Sequence, residues 1–234
     1  MIIRASPARR LIRKSIRVGE RLCAAALMYL HGMKFLKPNY VFLDRFTPSS
    51  VIIDVGCGYD AEFSRHLIEA YGLHAYGVDP TRKHAPALKA LADASHGKFQ
   101  HWPLAVSQEV GRLTFQESRN RESGSLLPEH TNLREDVSIA YEVESVTLGE
   151  LVQRIGSKSI ALAKLDLEGA EYELLKKAAP QDFAAFDQLF IEFHHHCTRY
   201  TIQDTQDIIL KLKGMGFVAF TLDHHNYLFY KPRP

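Results

Sequence analysis

The sequence predicts an α/β fold, in which a doubly wound, mostly parallel, seven-stranded sheet follows an N-terminal helical extension. Short β-branched or apolar runs alternate with helix-like segments along most of the chain, which is the pattern of βαβ units. The run at residues 51–55 leads through two closely spaced glycines into a helical pattern, as the first strand of such a sheet does. With 234 residues, of which 46% are hydrophobic and 24% charged, the chain can bury one full core.

The distribution of charge predicts two parts of the chain, an extension over residues 1–45 and an α/β domain over residues 46–234. Residues 1–40 carry nine Lys or Arg and one Glu, although the net charge of the whole chain is only +2. The basic side chains within residues 9–21 recur at helical spacing, so we expect them along one side of a helix. They are Arg10, Arg13, Lys14, Arg17 and Arg21.

This basic stripe, residues 9–21, leaves three interpretations open. It can be the solvated face of a helix that packs on the domain. It can contact an anionic membrane surface or a phosphate-bearing acceptor, with about 1 kcal/mol for each basic residue near a charged membrane. Nucleic acid is the least favoured partner, because no nucleic-acid module is recognisable and a basic strip alone gives only non-specific attraction.

The sequence predicts a cytoplasmic protein, with the basic stripe as its possible contact to the inner membrane surface. No apolar run approaches the roughly 18 residues needed to span a bilayer, and no secretory cleavage pattern follows the N-terminus. The three cysteines, Cys23, Cys57 and Cys197, are far apart and odd in number. This spacing argues against a disulfide framework and against a structural zinc site.

The first strand, residues 51–55, carries Asp54 near its end and continues as Gly56-Cys57-Gly58-Tyr59. Glycines let a backbone approach a ligand closely, and the helix that follows presents free N–H groups to an anion. We expect a second strand over residues 74–80 with Asp79 and Pro80 at its tip. An acid at that position of a doubly wound sheet lies beside the ribose of a bound ligand.

A helix over residues 82–94 and a third strand over residues 99–102 should complete the first half of the sheet. The next turn contains Ala105, which should lie at the same edge, near the base of the ligand. Strands at 111–116 and 138–146 flank a polar insert, residues 117–136, which is either a mobile surface loop or a lid.

A second acid-rich stretch begins with the apolar strand 159–165 and continues through Asp166, Glu168 and Glu171. If this strand adjoins the first, Asp166 and Glu168 face the crevice where open α/β sheets bind ligands. We interpret Glu171 as a first-turn acid favoured by the helix dipole.

The chain should close the sheet in its last 45 residues. The strand through residues 190–193 places Glu192 and His194 on the same side, two residues apart. A helix over 205–213 and strands at 218–221 and 227–230 should follow.

These motifs, in this order, resemble the FkbM family of S-adenosylmethionine-dependent methyltransferases. The motifs are Asp54-Val-Gly56-Cys-Gly58, Val78-Asp79-Pro80, Val146-Thr147-Leu148, Lys164-Leu-Asp166-Leu-Glu168-Gly169-Ala170-Glu171 and Ile191-Glu192-Phe193-His194. The resemblance covers roughly residues 50–195 and implies a class I methyltransferase sheet with an antiparallel last strand. It also implies S-adenosylmethionine as the methyl donor and methyl transfer to oxygen. The expected acceptor is a sugar or other carbohydrate, or another small natural-product or lipid-linked molecule. Where family loops commonly carry Ala-Asn and a further Gly, this chain has Cys57-Gly58-Tyr59-Asp60.

The resemblance and the strand tips together give a set of expected donor-binding residues. They are Asp54, Gly56, Cys57, Gly58, Tyr59, Asp79, Pro80, Ala105 and Asp166. Asp54 can either receive the ammonium group of the donor or brace the loop.

Two other functions stay open at this point. The spacing Gly56-x-Gly58-x-x-Ala61 also fits a dinucleotide fingerprint, so a nicotinamide-dependent oxidoreductase is an alternative. Against it, Asp54 would repel a pyrophosphate by on the order of 1 kcal/mol. The third possibility is a non-catalytic protein that binds membrane surfaces through the basic stripe.

Methyl transfer to a hydroxyl requires alignment, which can contribute roughly 7–11 kcal/mol, and a group that takes up the proton. We expect His194 to be the base, Glu192 to orient or polarise it, and Asp166 to lie near the methyl group or the acceptor hydroxyl. Alternatively, His194 is a hydrogen-bonded histidine at a strand end. We expect no metal, because adjacent histidines on a strand point to opposite faces; Asp166, Glu192 and His194 would be the ligands if one bound.

Overall fold

The computed structural model describes residue 26 and residues 28–232. The predicted basic helix over residues 9–21 lies outside the described residues, so that helix and its membrane contact stay predictions. In the described part of the chain, no helix is both long and apolar enough to cross a membrane. The chain divides between Asp44 and Arg45 into two units. In the first unit, residues 33–43 form a β-hairpin that the sequence did not predict.

The elements of the described residues are numbered in chain order. The strands are β1 (Met33–Leu36), β2 (Tyr40–Leu43), β3 (Val51–Val55), β4 (His74–Val78), β5 (Phe99–Trp102), β6 (Ala105–Val106), β7 (Gly111–Ser118), β8 (Gly124–Ser125), β9 (Ser138–Val146), β10 (Leu162–Leu165), β11 (Gln188–Glu192), β12 (Val218–Thr221) and β13 (Asn226–Tyr230). The helices are α1 (Glu62–Tyr71), α2 (Ala85–Ala94), α3 (Thr131–Arg134), α4 (Leu148–Ile155), α5 (Glu171–Lys177) and α6 (Ile202–Gly214), with a 3₁₀ turn at Pro180–Phe183.

The second unit is built on a seven-stranded sheet with the order β12-β13-β11-β10-β3-β4-β5. The five strands from β11 to β5 run parallel, and β13 is antiparallel to both of its neighbours. The central strands are almost continuously apolar and buried, as parallel strands covered on both faces must be. The predicted mostly parallel, seven-stranded α/β sheet is therefore confirmed.

A second sheet, with the order β6-β9-β7-β8, carries the polar insert. Its long antiparallel pair, β7 and β9, runs from Gly111 opposite Ser145 to Ser118 opposite Ser138. The insert itself contains β8 and α3, so it is more ordered than a plain surface loop.

Local sequence signals explain where the last helix begins. The helix α6 starts earlier than the predicted residue 205, because Thr201 caps it: the Thr201 side chain accepts from the backbone of Asp204, whose carboxylate accepts from the Thr201 N–H. Tyr172 of α5 is fully buried and stacks on Tyr200, with ring centroids 4.2 Å apart. These contacts fix the loops that follow β10 and β11, where the candidate site lies.

Candidate functional site

A cavity of about 200 Å³ lies at the carboxyl ends of β3, β4 and β10. The chain runs outward from β3 to β4 and β5, then returns to β10 on the other side of β3. Ligands of open α/β sheets bind at such a reversal of strand order. The expected site residues that line the cavity are Gly56, Gly58, Asp79, Pro80, Ala105 and Asp166.

The glycine turn after β3 is shaped by two residues with positive φ. Gly56 has φ 71° and Gly58 has φ 69°. A Cβ atom on Gly56 would lie 1.9 Å from the carbonyl oxygen of Asp166, so only glycine fits between the two strands. The turn therefore brings its backbone directly to the cavity.

Asp79 anchors this turn from the tip of β4. Its Oδ2 accepts from the Gly58 N–H at 3.0 Å and lies 3.3 Å from His84 Nδ1, while its Oδ1 accepts from the Thr81 N–H at 2.8 Å. Burial alone would raise the pKa of Asp79, but the contacts from His84 and Thr81 lower it below its usual value. The carboxylate is thus ionised and fixed at the edge of the cavity.

The contact of His84 with Asp79 was not predicted from the sequence. His84 lines the cavity, its side chain is 5% exposed, and it holds Asp79 through Nδ1. The available signal was a polar residue immediately before the proline-containing first turn of α2.

Three of the expected donor-binding residues do not line the cavity. Asp54 is fully buried, accepts from Ser64 Oγ at 2.8 Å and has Lys164 Nζ at 3.5 Å, so its geometry favours bracing the loop over receiving an ammonium group. Burial raises the pKa of Asp54 above its usual value. The Cys57 thiol is buried. Tyr59 is 48% exposed, and the centroid of its ring lies 6.4 Å from that of the His84 ring.

The cavity lining is rich in carboxylates. Four carboxylates line it, from Asp79, Glu122, Asp166 and Glu168, and its described lining residues include no Lys or Arg. Such a lining attracts a ligand with net positive charge and repels a diphosphate.

The family profile described as "Methyltransferase FkbM domain" matches residues 55–219. The chain belongs to the FkbM methyltransferase family. The predicted family is thereby confirmed, and the nicotinamide oxidoreductase alternative is set aside. Membership makes the chain a methyltransferase and implies S-adenosylmethionine as its methyl donor, to which the acidic cavity lining is suited.

Several solved structures are similar to this FkbM methyltransferase at low sequence identity. TrmK of M. capricolum in complex with S-adenosyl-homocysteine is 14% identical with a TM-score of 0.44, over 81% of this chain and 65% of that chain. Fibrillarin of Methanococcus jannaschii is 8% identical with a TM-score of 0.48, over 88% of this chain and 74% of that one. An O-methyltransferase family protein from Burkholderia thailandensis is 8% identical with a TM-score of 0.40, over 78% and 51% of the two chains. No curated protein sequence matches the chain significantly.

His194 of this FkbM methyltransferase lies among three carboxylates. Its Nδ1 is 3.2 Å from Glu171 Oε1, and its Nε2 is 3.6 Å from Asp166 Oδ1 and 3.7 Å from Glu168 Oε2. Burial alone would lower the pKa of His194, but the carboxylates outweigh it and raise the pKa to about 10. The imidazole therefore holds its proton at neutral pH, which does not fit the expectation that His194 is the base.

Glu171 has a larger role than a helix-dipole acid. It is in the first turn of α5, as expected, but its side chain is fully buried. It accepts from the backbone N–H groups of Gly169 at 2.8 Å and His194 at 2.9 Å. The sequence did not indicate this contact, because it joins residues 23 positions apart on different loops.

Glu192 and Asp166 come close together at the ends of adjacent strands. Leu165 is paired with Ile191 in the parallel register of β10 and β11, so the two acids follow side by side. Burial and the charge of Asp166 raise the pKa of Glu192 to about 7. Asp166 accepts from Lys164 Nζ at 3.1 Å and also lines the cavity.

The histidines of this cluster are not arranged as metal ligands. Among residue 26 and residues 28–232, no three His, Cys, Asp or Glu side chains are arranged to hold an ion. His195 and His225 instead stack on each other, with ring centroids 4.8 Å apart and an interplanar angle of 17°.

Proposed function

We propose that this FkbM methyltransferase transfers the methyl group of S-adenosylmethionine to a hydroxyl oxygen of a sugar or another small natural-product or lipid-linked acceptor. The observation that carries this proposal is the acidic cavity at the ends of β3, β4 and β10. S-adenosylmethionine, when bound, supplies an electrophilic methyl group on a positively charged sulfonium. The four carboxylates of the lining suit that charge, and they also disfavour a phosphate next to the reacting oxygen of the acceptor.

Residues on the β3 and β4 side of the cavity would bind the donor. The backbone of Gly56 and Gly58 gives close approach, and the free lone pair of the Asp79 carboxylate can accept from ribose hydroxyls. Ala105, between the buried Leu104 and Val106, would provide an apolar wall for the adenine base of the donor. Asp54 and Cys57 would support the turn from behind.

Residues on the β10 and β11 side would act on the acceptor. A carboxylate with a pKa near the working pH is best suited to take up the hydroxyl proton, and Glu192 meets that condition. Asp166, held by Lys164, would orient the hydroxyl. His194 would stay protonated and fix the carboxylates of Asp166 and Glu168, which makes it a positioning residue.

Incubation of the purified chain with methyl-labelled donor and a panel of sugars, lipids, peptides and RNA tests this function. We expect label in the O-methyl group of a sugar or other small hydroxyl compound. Glu192→Gln should lose the transfer while still binding S-adenosylhomocysteine. Transfer to nitrogen, to carbon or to RNA would contradict the proposal.

A further inference from the structure

The polar insert, residues 117–136, is docked against the cavity rather than free. At its base, the Asp136 carboxylate accepts from Ser118 Oγ and, at 2.8 Å, from the backbone N–H of Asn120. At its far end, the N–H and Oγ1 of Thr131 donate to the carbonyl oxygen of Cys197, at 3.0 and 2.9 Å. The insert is therefore tied to itself and to the loop after β11.

His130 is fully buried and caps the N-terminus of α3 in this insert. Its Nδ1 accepts from the backbone N–H of Asn132 at 3.3 Å, so the ring hydrogen is on Nε2. That Nε2 lies 2.8 Å from Glu168 Oε2. His130 thus caps its own helix with one nitrogen and donates to the acid after β10 with the other.

Glu168 has an unusual backbone conformation that the same insert supports. Its φ is 49°, in the left-handed region that non-glycine residues avoid, and such residues cluster at functional sites. Ser125 Oγ donates to its carbonyl oxygen at 2.8 Å. The insert therefore holds both the backbone and the carboxylate of Glu168.

Glu168 contributes directly to the cavity, with 25% of its side chain exposed. It follows β10, whereas Asp79 follows β4, so the two acids lie on opposite sides of β3. Burial alone would raise the pKa of Glu168, but the hydrogen bond from His130 and the charge of His194 keep it below its usual value. The cavity thus contains a second ionised carboxylate, held in place from outside the main sheet.

We infer that His130 is a positioning residue for methyl transfer, which orients the Glu168 carboxylate toward the reacting end of the cavity. This inference rests on the proposed function, and it makes the insert part of the catalytic machinery. Other ionisable groups surround Glu168 besides His130. Glu192, His194 and Cys197, of β11 and the following loop, interact with it electrostatically. Asp166 and Glu171 share His194 with it as a partner.

Two substitutions of His130 separate positioning from folding. In His130→Asn, the amide oxygen can replace Nδ1 and keep the helix cap, but the donor at Nε2 is lost, so that Glu168 keeps only the hydrogen bond from Ser123 and the charge of His194. In His130→Gln, the amide nitrogen can replace Nε2 and restore that donor. We expect the Asn variant to lose about tenfold or more in kcat. Its affinity for S-adenosylhomocysteine should stay within about threefold of the parent, because Asp79 and the glycine turn are untouched.

The pH profile is the readout that a purely structural role would not move. Without the donor from His130, the pKa of Glu168 rises. The loss of kcat that follows protonation of Glu168, on the acid side of the limb set by Glu192, should therefore begin at higher pH in His130→Asn than in the parent. His130→Gln should recover most of kcat and the parent profile. The inference fails if the Asn variant keeps the parent kcat and profile, or if both variants lose activity only in proportion to their melting temperatures.

A second measurement is independent of turnover. The ¹⁵N resonance of His130 Nε2 should shift in Glu168→Gln and stay unchanged in Glu122→Gln, and no shift in Glu168→Gln would also overturn the inference. If the enzyme methylates nitrogen but still distinguishes His130→Asn from His130→Gln, the proposed O-methylation fails while the role of His130 stands.

Discussion

Lys164 Nζ donates to the carbonyl oxygen of Gly56 at 2.9 Å, from one strand of the central sheet to the turn after its neighbour. Lys164 is opposite Asp54 in the register of β10 and β3. Its Nζ also lies 3.5 Å from Asp54 Oδ1 and 3.1 Å from Asp166 Oδ2. One buried cation therefore joins the glycine turn, the bracing acid and the acid that faces the cavity.

Removing this cation should destabilise the domain. Lys164→Met leaves Asp54 buried with Ser64 but without its positively charged partner, and we expect the free energy of unfolding to fall by about 3–5 kcal/mol in urea titrations at pH 8. The loss should be smaller at pH 5, because the pKa of Asp54 is already raised by burial and the carboxylate can take up a proton. The control is Lys176→Met, whose ion pair with Asp204 is exposed and contributes at most about 1 kcal/mol. Equal losses in the two variants would contradict this account.

Alanine at the two glycines of the turn should have unequal effects. Both positions have similar positive φ, so each alanine costs about 1–2 kcal/mol of backbone strain. Only at Gly56 does the added Cβ also meet Asp166, whereas at Gly58 no atom lies within 4 Å of it. Thermal unfolding should therefore show Gly56→Ala to be at least twice as destabilising as Gly58→Ala. Equal shifts in melting temperature would contradict a steric clash at Gly56.

The sequence predicted the strand ends well, because β-branched runs, glycines and acids follow one another locally. Asp79 and Asp166 lie at the cavity edge, and β10 adjoins β3, as the order of motifs suggested. The sequence did not predict the contacts that hold Glu168 and His194 beside this cavity. The contacts of His130 with Glu168 and of Glu171 with His194 join residues 38 and 23 positions apart, on loops whose docking depends on the packed fold.

His194 should make stability depend on pH in the alkaline range. Its pKa in the folded chain is about 10, above the usual 6.5, so its stabilising effect is complete below about pH 6.5 and is lost as the pH rises toward 10. The free energy of unfolding should fall by up to about 1.4 kcal/mol per pH unit across that window. His194→Gln should flatten the dependence, and the exposed control His66→Gln should keep it. A dependence that survives His194→Gln would show that another group is responsible.

Glu192 should set the acidic limb of the rate profile. A proton acceptor must be deprotonated, so kcat/KM should rise with pH through about 7, the value to which burial and Asp166 raise the pKa of Glu192. Glu192→Gln should lower kcat/KM by about 10²- to 10⁴-fold and remove that limb. Glu62→Gln, at an exposed position on α1, is the matched control. A rising limb near pH 7 that persists in Glu192→Gln would assign the proton to another group.

Binding of the reaction product S-adenosylhomocysteine tests most directly whether this cavity holds the methyl donor. In isothermal titration calorimetry, the parent chain should bind S-adenosylhomocysteine and not NAD⁺. Asp79→Asn should weaken that binding by about tenfold or more, because the carboxylate holds Gly58 and, in the proposed function, would accept from the ligand. Asp60 lies in the same loop as Gly58 but outside the cavity lining, so the control Asp60→Asn should bind S-adenosylhomocysteine as the parent does. Binding of NAD⁺ without S-adenosylhomocysteine, or unchanged affinity in Asp79→Asn, would contradict the account.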